Sequence, residues 1–252
     1  MPLVTAECVI LQVFAYGDTS KILKLLTSNH GVRSAIAKGA LRPRSRYGGM
    51  VEAFSEGIAT LYLKDGREIQ TLSAFELTAS HQALGNDLIR FGGASLLAEI
   101  VLRTASEEAQ PGIHEGVRAA MRRLESSPTD QLEAVVLSEA WRLIGRLGFA
   151  PALQDCIACG RTLAADQPTT FDYTAGGVRC DACTAGSAGR PIPGRARADL
   201  VRLGQGAAVR LERTEAHWRL LARYLAHHVL DGAQLRSLDF LAATIATGSC
   251  AS

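Results

Sequence analysis

Lysine is scarce in this 252-residue chain: four of its 27 basic side chains are lysine, 23 are arginine, and no lysine follows Lys64. Arginine favours phosphate, but a bias that runs through a whole chain reflects genome composition as readily as function, so it assigns nothing by itself. Net charge is also small, +2. That removes any whole-molecule electrostatic case for nucleic acid and leaves only local clustering. Aromatic residues make up 6%, low for a binder dominated by ring stacking. No uncharged apolar run reaches the roughly eighteen residues of a membrane span. The first residues, Met-Pro-Leu-Val-Thr-Ala-Glu, lack the basic and apolar regions of a signal peptide. The expectation is a cytoplasmic protein with reduced thiols and no membrane partner.

Enzyme signatures are missing as well. The chain has no G-x-x-x-x-G-K-[ST] phosphate loop, no G-x-S-x-G nucleophile elbow and no H-E-x-x-H zinc-hydrolase motif. Glu107-Glu108 and the scattered aspartates lack the spacing of a two-metal nuclease. His227 and His228 are adjacent, so on a helix they face about 100° apart and are poorly placed to share one metal. No catalytic residue is expected.

Six cysteines are present, and four of them form two matched pairs, Cys156-Ile157-Ala158-Cys159 and Cys180-Asp181-Ala182-Cys183, with twenty residues between the pairs. Each C-x-x-C turn aims two thiolates at one point, and two such turns complete a tetrahedral shell for zinc. Structural disulfides or a redox pair are disfavoured because nothing else suggests an oxidising compartment. The expectation is one structural Zn2+ per chain, held by Cys156, Cys159, Cys180 and Cys183. A closed four-sulfur site leaves no open position for catalysis. Cys8, in an apolar run, reads as core, and Cys250 is left over.

Along the chain, Ala6–Phe14, Lys21–Thr27, Val32–Ala37, Phe54–Leu63 and Ile69–Leu77 read as five strands. Tyr16-Gly17-Asp18, Asn29-His30-Gly31 and Lys64-Asp65-Gly66 supply turns between them. Five short strands in some eighty residues suggest a closed OB-type barrel. Beyond it the period becomes helical, over Leu88–Arg103, Ile113–Leu124, a helix N-capped by Thr129 and stopped by Gly148, Arg195–Arg213 and Thr214–Leu230. The fold class is α+β multidomain: an OB-type barrel over 1–79, then an all-α domain over 80–252 with an inserted four-cysteine zinc knuckle at 154–186. Gly186–Gly194 reads as a linker.

A basic run sits inside the barrel. Arg33, Lys38, Arg42, Arg44 and Arg46 fall within fourteen residues free of acid, with Lys21 and Lys24 on the preceding strand. A cationic loop beside a sheet face suits a nucleic-acid backbone, and Tyr47, Phe54 and Tyr62 could supply stacking surface. A solvated basic loop over core aromatics fits the same residues equally well. Arg210, Arg213, Arg219 and Arg223 in the last helices read more simply as a solvated face.

The order of several short motifs resembles the RecO family of bacterial recombination and repair mediators. Tyr16-Gly17-Asp18-Thr19-Ser20 is followed by Leu25-Leu26-Thr27, Gly31, and Ala37-Lys38-Gly39-Ala40 with Arg42, then Phe54. Downstream come Cys156-x-x-Cys159, Phe171, Gly176-Gly177-Val178-Arg179-Cys180-x-x-Cys183 and Leu235-Arg236-Ser237. The resemblance implies a protein that binds single- and double-stranded DNA and anneals complementary strands. It implies work with RecR to replace single-strand binding protein by RecA, at the nucleoid during repair. DNA contacts would fall on Lys21, Lys24, Arg33, Lys38, Arg42, Arg44 and Arg46. Asp239 stands where many relatives are basic, and zinc is not universal in the family. A zinc-stabilised protein adaptor without a DNA role and a thiol redox protein are the alternatives.

Overall fold

The computed structural model describes residues 2–104, 108–110, 112–185, 189–207, 209–230, 232 and 234–248. Glu107, residues 186–188 at the end of the zinc segment and start of the linker, and Cys250 lie outside the described residues. The chain forms two compact units, residues 1–126 with 243–252, and residues 127–242.

In the first unit, β1 (Leu3–Tyr16), β2 (Ser20–Thr27), β3 (Val32–Ala37), β4 (Glu56–Tyr62) and β5 (Ile69–Ala79) close a barrel in the order β1-β2-β3-β5-β4. Alternate residues explain the closure. Leu23 and Leu25, Ala35 and Ala37, Ala59 and Leu61 point inward with Cys8, Ile10 and Leu72. Each fully buried leucine among them contributes about 2 kcal/mol. β1 is long enough to serve two partners: Leu3–Val9 pairs with β4 and Cys8–Tyr16 with β2. An irregularity between Ile10 and Gln12 breaks the alternation. Val9 and Leu11 are thereby buried as well, and α1 (Leu88–Thr104) and α2 (Ile113–Ser126) pack against β1. β3 and β5 run parallel and pair over three positions, ending at Ile36 opposite Thr71. The strand bounds expected from sequence hold to within three residues. Asp87 caps α1, its Oδ1 accepting the N–H groups of Ile89 and Arg90 at 2.9 and 3.0 Å.

The second unit holds α3 (Leu132–Arg146), α4 (Gly194–Gly204) and α5 (Thr214–His228); α6 runs Arg236–Gly248. Thr129 does not cap α3; it opens a 3-10 turn after Pro128, and no side chain caps either. Gly148, at φ +89°, does end the helix. The helix expected to reach Arg213 stops at Gly204, where Gln205 and Gly206 (φ +79°) turn the chain away. The unit's core is aromatic: Tyr224 lies 5.2 Å from Trp141 and 6.0 Å from Phe171 between ring centroids. Burial pushes the Tyr224 phenol up to about 12, and its hydroxyl donates to the Phe149 carbonyl at 2.9 Å. Between α3 and α4 the chain forms a three-stranded sheet, β7-β6-β8, of β6 (Thr169–Asp172), β7 (Gly177–Arg179) and β8 (Arg190–Ile192). These strands are too short to register as alternation in sequence.

Candidate metal centre and nucleic-acid interface

The four-cysteine segment folds as two turns flanking the small sheet. At the first, Gly160 takes φ +72° and its N–H reaches back to the Cys156 carbonyl at 2.8 Å. At the second, residues 181–183 form a 3-10 turn closed by Cys183 N–H to Cys180 carbonyl at 2.9 Å. β6 and β7 hold these turns together. Asp172 accepts the N–H groups of Thr174 and Ala175 at 3.0 Å each and the Arg179 Nε–H at 2.8 Å. Those bonds, that of Ala175 foremost, hold its carboxyl below the usual range. Gly177 is obligatory beside them, because a Cβ there would overlap Ile157 and Ala152.

The result is that Sγ atoms of Cys156, Cys159, Cys180 and Cys183 lie within 4.8 Å of one another, so the cluster could hold a metal ion. Cys159 and Cys180 are 3.8 Å apart, the edge of a tetrahedron with metal–sulfur bonds of about 2.3 Å. Burial would raise the Cys156 thiol, yet backbone N–H groups of Cys180, Cys159 and Ala158 bring it down to about 6. Hydrogen bonds to Cys180 and Cys159 push Cys183 up to about 12. A bound cation favours the thiolate form of every cysteine that ligates it. Cys8, by contrast, is core: burial raises its thiol to about 12, which leaves it inert.

The basic residues of the barrel divide. Lys38, Arg42, Arg44 and Arg46 are exposed on the turn-rich connection between β3 and β4, and none forms an ion pair with another described residue. That connection is joined to the β1–β2 turn by Leu41 N–H to Thr19 carbonyl at 2.8 Å. Lys21 sits beneath it, tied to Glu52 Oε1 at 2.5 Å and to the Val51 carbonyl at 3.4 Å. Lys24 lies on the barrel exterior and donates to Ser34 Oγ at 2.7 Å. Arg33 is at the opposite end, beside Lys64, Arg67 and the β4–β5 turn. So four of the seven gather at one barrel end; Lys21 lies at that end too but is paired with Glu52, and Lys24 and Arg33 stand apart.

The expected stacking residues need correcting. Tyr47 is 1% exposed and Phe54 5%. Tyr47 plugs the barrel, and Phe54, held at φ +68°, packs edge-on against Phe91 at 5.8 Å. Tyr62 alone of the three reaches solvent. Sequence reasoning missed Phe14 and Tyr16, exposed at the end of β1. Gln12, Phe14 and Tyr16 pair with Lys24, Ile22 and Ser20 on the outer face, next to β3 and the basic connection. The signal was present as alternation after Gln12, hidden by the irregularity just before it. The arginines of the last helices are accounted for in part: Arg219 pairs with Glu215 at 2.9 Å, and Arg223 covers the Tyr173 ring. His228 lies against the Tyr224 ring, 4.5 Å between centroids.

A buried ionic hub occupies the same unit as the barrel. Glu56, with its side chain 2% exposed, accepts from His81 Nε2 at 2.9 Å, Arg118 Nε at 2.8 Å and Arg122 Nη2 at 3.2 Å. The other His81 nitrogen meets Glu125 at 2.7 Å. Five charged or titratable groups thus join β4 to α2. A small cavity of about 80 Å³ beside it is lined by Glu7, Cys8, Glu56, Thr78 and Arg118, but burial raises the Cys8 thiol to about 12, and the geometry of the cluster is that of a clamp.

Barrel, basic end and four-thiol ribbon define the class: an OB-fold protein joined to a helical unit that carries a closed metal-type site. The family described as recombination protein O N terminal matches residues 1–81, and recombination protein O C terminal matches residues 85–239. The chain belongs to the RecO family, whose role is DNA repair and recombination. It is 32% identical over 253 residues to the DNA repair protein RecO of Desulfatibacillum aliphaticivorans, covering 96% of this chain and 97% of that one. The DNA repair protein RecO of a Nocardioides species is 28% identical over 248 residues, with 93% and 97% covered. That of Symbiobacterium thermophilum is 30% identical over 185 residues, with 73% and 72% covered.

Proposed function

We propose that this chain binds single- and double-stranded DNA at the basic barrel end and anneals complementary strands. With RecR it helps load RecA onto DNA coated by single-strand binding protein, without catalysing a covalent change. The observation that carries the reading is the gathering of Lys38, Arg42, Arg44 and Arg46, exposed and not ion-paired with any described residue, on a connection beside an outer sheet face bearing Phe14 and Tyr16. Cations hold phosphates and release counterions, while exposed rings stack bases without reading sequence. Strands held chiefly by their backbones keep base edges available to each other, which is what annealing needs. One zinc ion per chain in the Cys156, Cys159, Cys180 and Cys183 shell supports the second unit, and no step of annealing passes through it. In this reading the barrel expected over residues 1–79 holds DNA, and the helical part that follows it meets partners.

Annealing of complementary oligonucleotides tests the reading. Neutralising Arg42, Arg44 and Arg46 together should slow it. The log–log salt slope of single-strand binding should flatten by roughly 0.7 for each phosphate that is no longer neutralised. Arg33→Ala should change both less. Unaffected annealing in the triple variant would overturn the assignment. The adaptor reading has support of its own in a cleft of about 600 Å³ in the second unit, lined by Arg142, Arg146, Leu153 and Leu200. Affinity for labelled single strands weaker than roughly 10⁻⁴ M at physiological salt would favour it.

A further inference from the structure

We propose that Arg46 is a fixed stacking platform for a nucleobase, distinct in kind from the phosphate-type arginines beside it. This deepens the nucleic-acid reading and rests on it.

The shortest strand pairing in the barrel is the seam where β3 and β5 pair only as far as Ile36 and Thr71. One residue further along β5, the Leu72 carbonyl takes its hydrogen bond from the Tyr47 hydroxyl at 2.9 Å. Tyr47 is therefore held in place by backbone, with its ring buried in the barrel core. Its ring cannot be reached by a base.

Arg46 is pinned in turn by Tyr47. The guanidinium carbon lies 4.9 Å from the ring centroid, and Nη2 donates to the Tyr47 hydroxyl at 2.8 Å. Arg46 nonetheless stays exposed. Two contacts to one buried residue fix a planar, weakly hydrated cation that remains exposed to solvent. Among the described residues, the side chains of Arg42 and Arg44 make no hydrogen bond or ion pair, so their heads remain free to follow phosphates. A guanidinium held at an aromatic ring in this way offers a base a planar cation of the kind on which unstacked nucleobases settle. Its rotamer freedom is largely lost before binding, so little further ordering opposes the contact. The buried tyrosine thus contributes to base recognition through the arginine lying on it.

The test compares a labelled oligothymidylate with an abasic strand of equal length, by fluorescence anisotropy across a salt series. Arg46→Lys keeps the charge and loses the plane. It should weaken oligothymidylate binding on the order of tenfold, leave the salt dependence unchanged and leave the abasic strand unaffected. Arg44→Lys should change neither. Equal weakening on both strands, or no weakening on oligothymidylate, overturns the platform. Should Arg46→Lys fail to fold, Tyr47→Phe removes the hydroxyl anchor and keeps the ring; its loss must again be confined to oligothymidylate. Wild-type protein that binds neither strand refutes the underlying nucleic-acid reading and the platform with it. Wild-type binding of both strands with equal affinity sinks the platform alone.

Discussion

Replacing Glu56 by glutamine removes one charge from the centre of the hub and changes almost no volume. The carboxylate is 2% exposed and bonds His81, Arg118 and Arg122. Breaking a buried pair on one side costs about 3–5 kcal/mol, and each charge-assisted bond is worth about 1.5–3 kcal/mol. The lower end applies here, because the partners have fallbacks. Arg118 keeps Glu7 at 3.2 Å and Glu115 at 3.3 Å, and His81 keeps Glu125 at 2.7 Å. Arg122 is half exposed and hydrates. A loss of about 3 kcal/mol at neutral pH is expected. Hydrogen exchange of the Ala59 and Leu61 amides reads it directly, as exchange roughly 150-fold faster wherever it requires opening of the whole unit. Acid supplies the second half of the test. Burial alone would raise the Glu56 carboxyl, but the bonds from His81 and Arg118 hold it below its ordinary value. A carboxyl lower in the folded than the unfolded state adds stability above the unfolded value of about 4.3 and loses it as pH falls through the folded value. The difference between wild type and variant should therefore narrow in acid. A difference under about 1 kcal/mol at neutral pH, or one that stays constant into acid, would refute the reasoning.

Cys156→Ser should release the bound zinc, which metal analysis of the wild-type protein will find near one equivalent. Ligation in zinc-finger peptides amounts to about 10–16 kcal/mol and is also folding energy. Both tryptophans, Trp141 and Trp218, lie in residues 127–242, so their fluorescence should report a lowered melting transition; an unchanged one would count against a structural ion. Gly57→Ala would force a Cβ into the Glu76 carbonyl and the Phe75 ring, and should cost about 1–3 kcal/mol in chemical denaturation. A neutral outcome there would mean that β4 and β5 separate more easily than their register implies.

Much of this architecture could be read in advance because it rests on local rules. Alternating leucines and alanines announced the strands, glycines with positive φ announced the turns, and paired cysteines announced the metal-type shell. What escaped depended on distance. Nothing near Tyr47 says that its hydroxyl finds a carbonyl twenty-five residues away in sequence, so its ring read equally well as stacking surface or as core. Phe14, read only as the end of a strand, and Tyr16, read as part of a turn, went unnoticed as exposed rings because the irregularity after Ile10 resets the pleat. Glu56 carries no signal in the sequence; only the fold brings Arg118 and Arg122 of α2 onto it. Lys21 and Arg44 have the same charge and sit in the same basic stretch, but only the fold gives one of them an acid to hold.

The three-residue pairing of β3 with β5 has a consequence beyond the site. A closed barrel carries no edge strands, and this one is closed there by Ser34–Ile36 against Ile69–Thr71 and by the Tyr47 hydroxyl on the Leu72 carbonyl. If that seam parts, β3 and β5 both present unpaired backbone, the template on which chains add to one another. The residues that hold Tyr47 in place are thus also a guard against self-association, and variants that loosen it risk aggregation before they lose the fold.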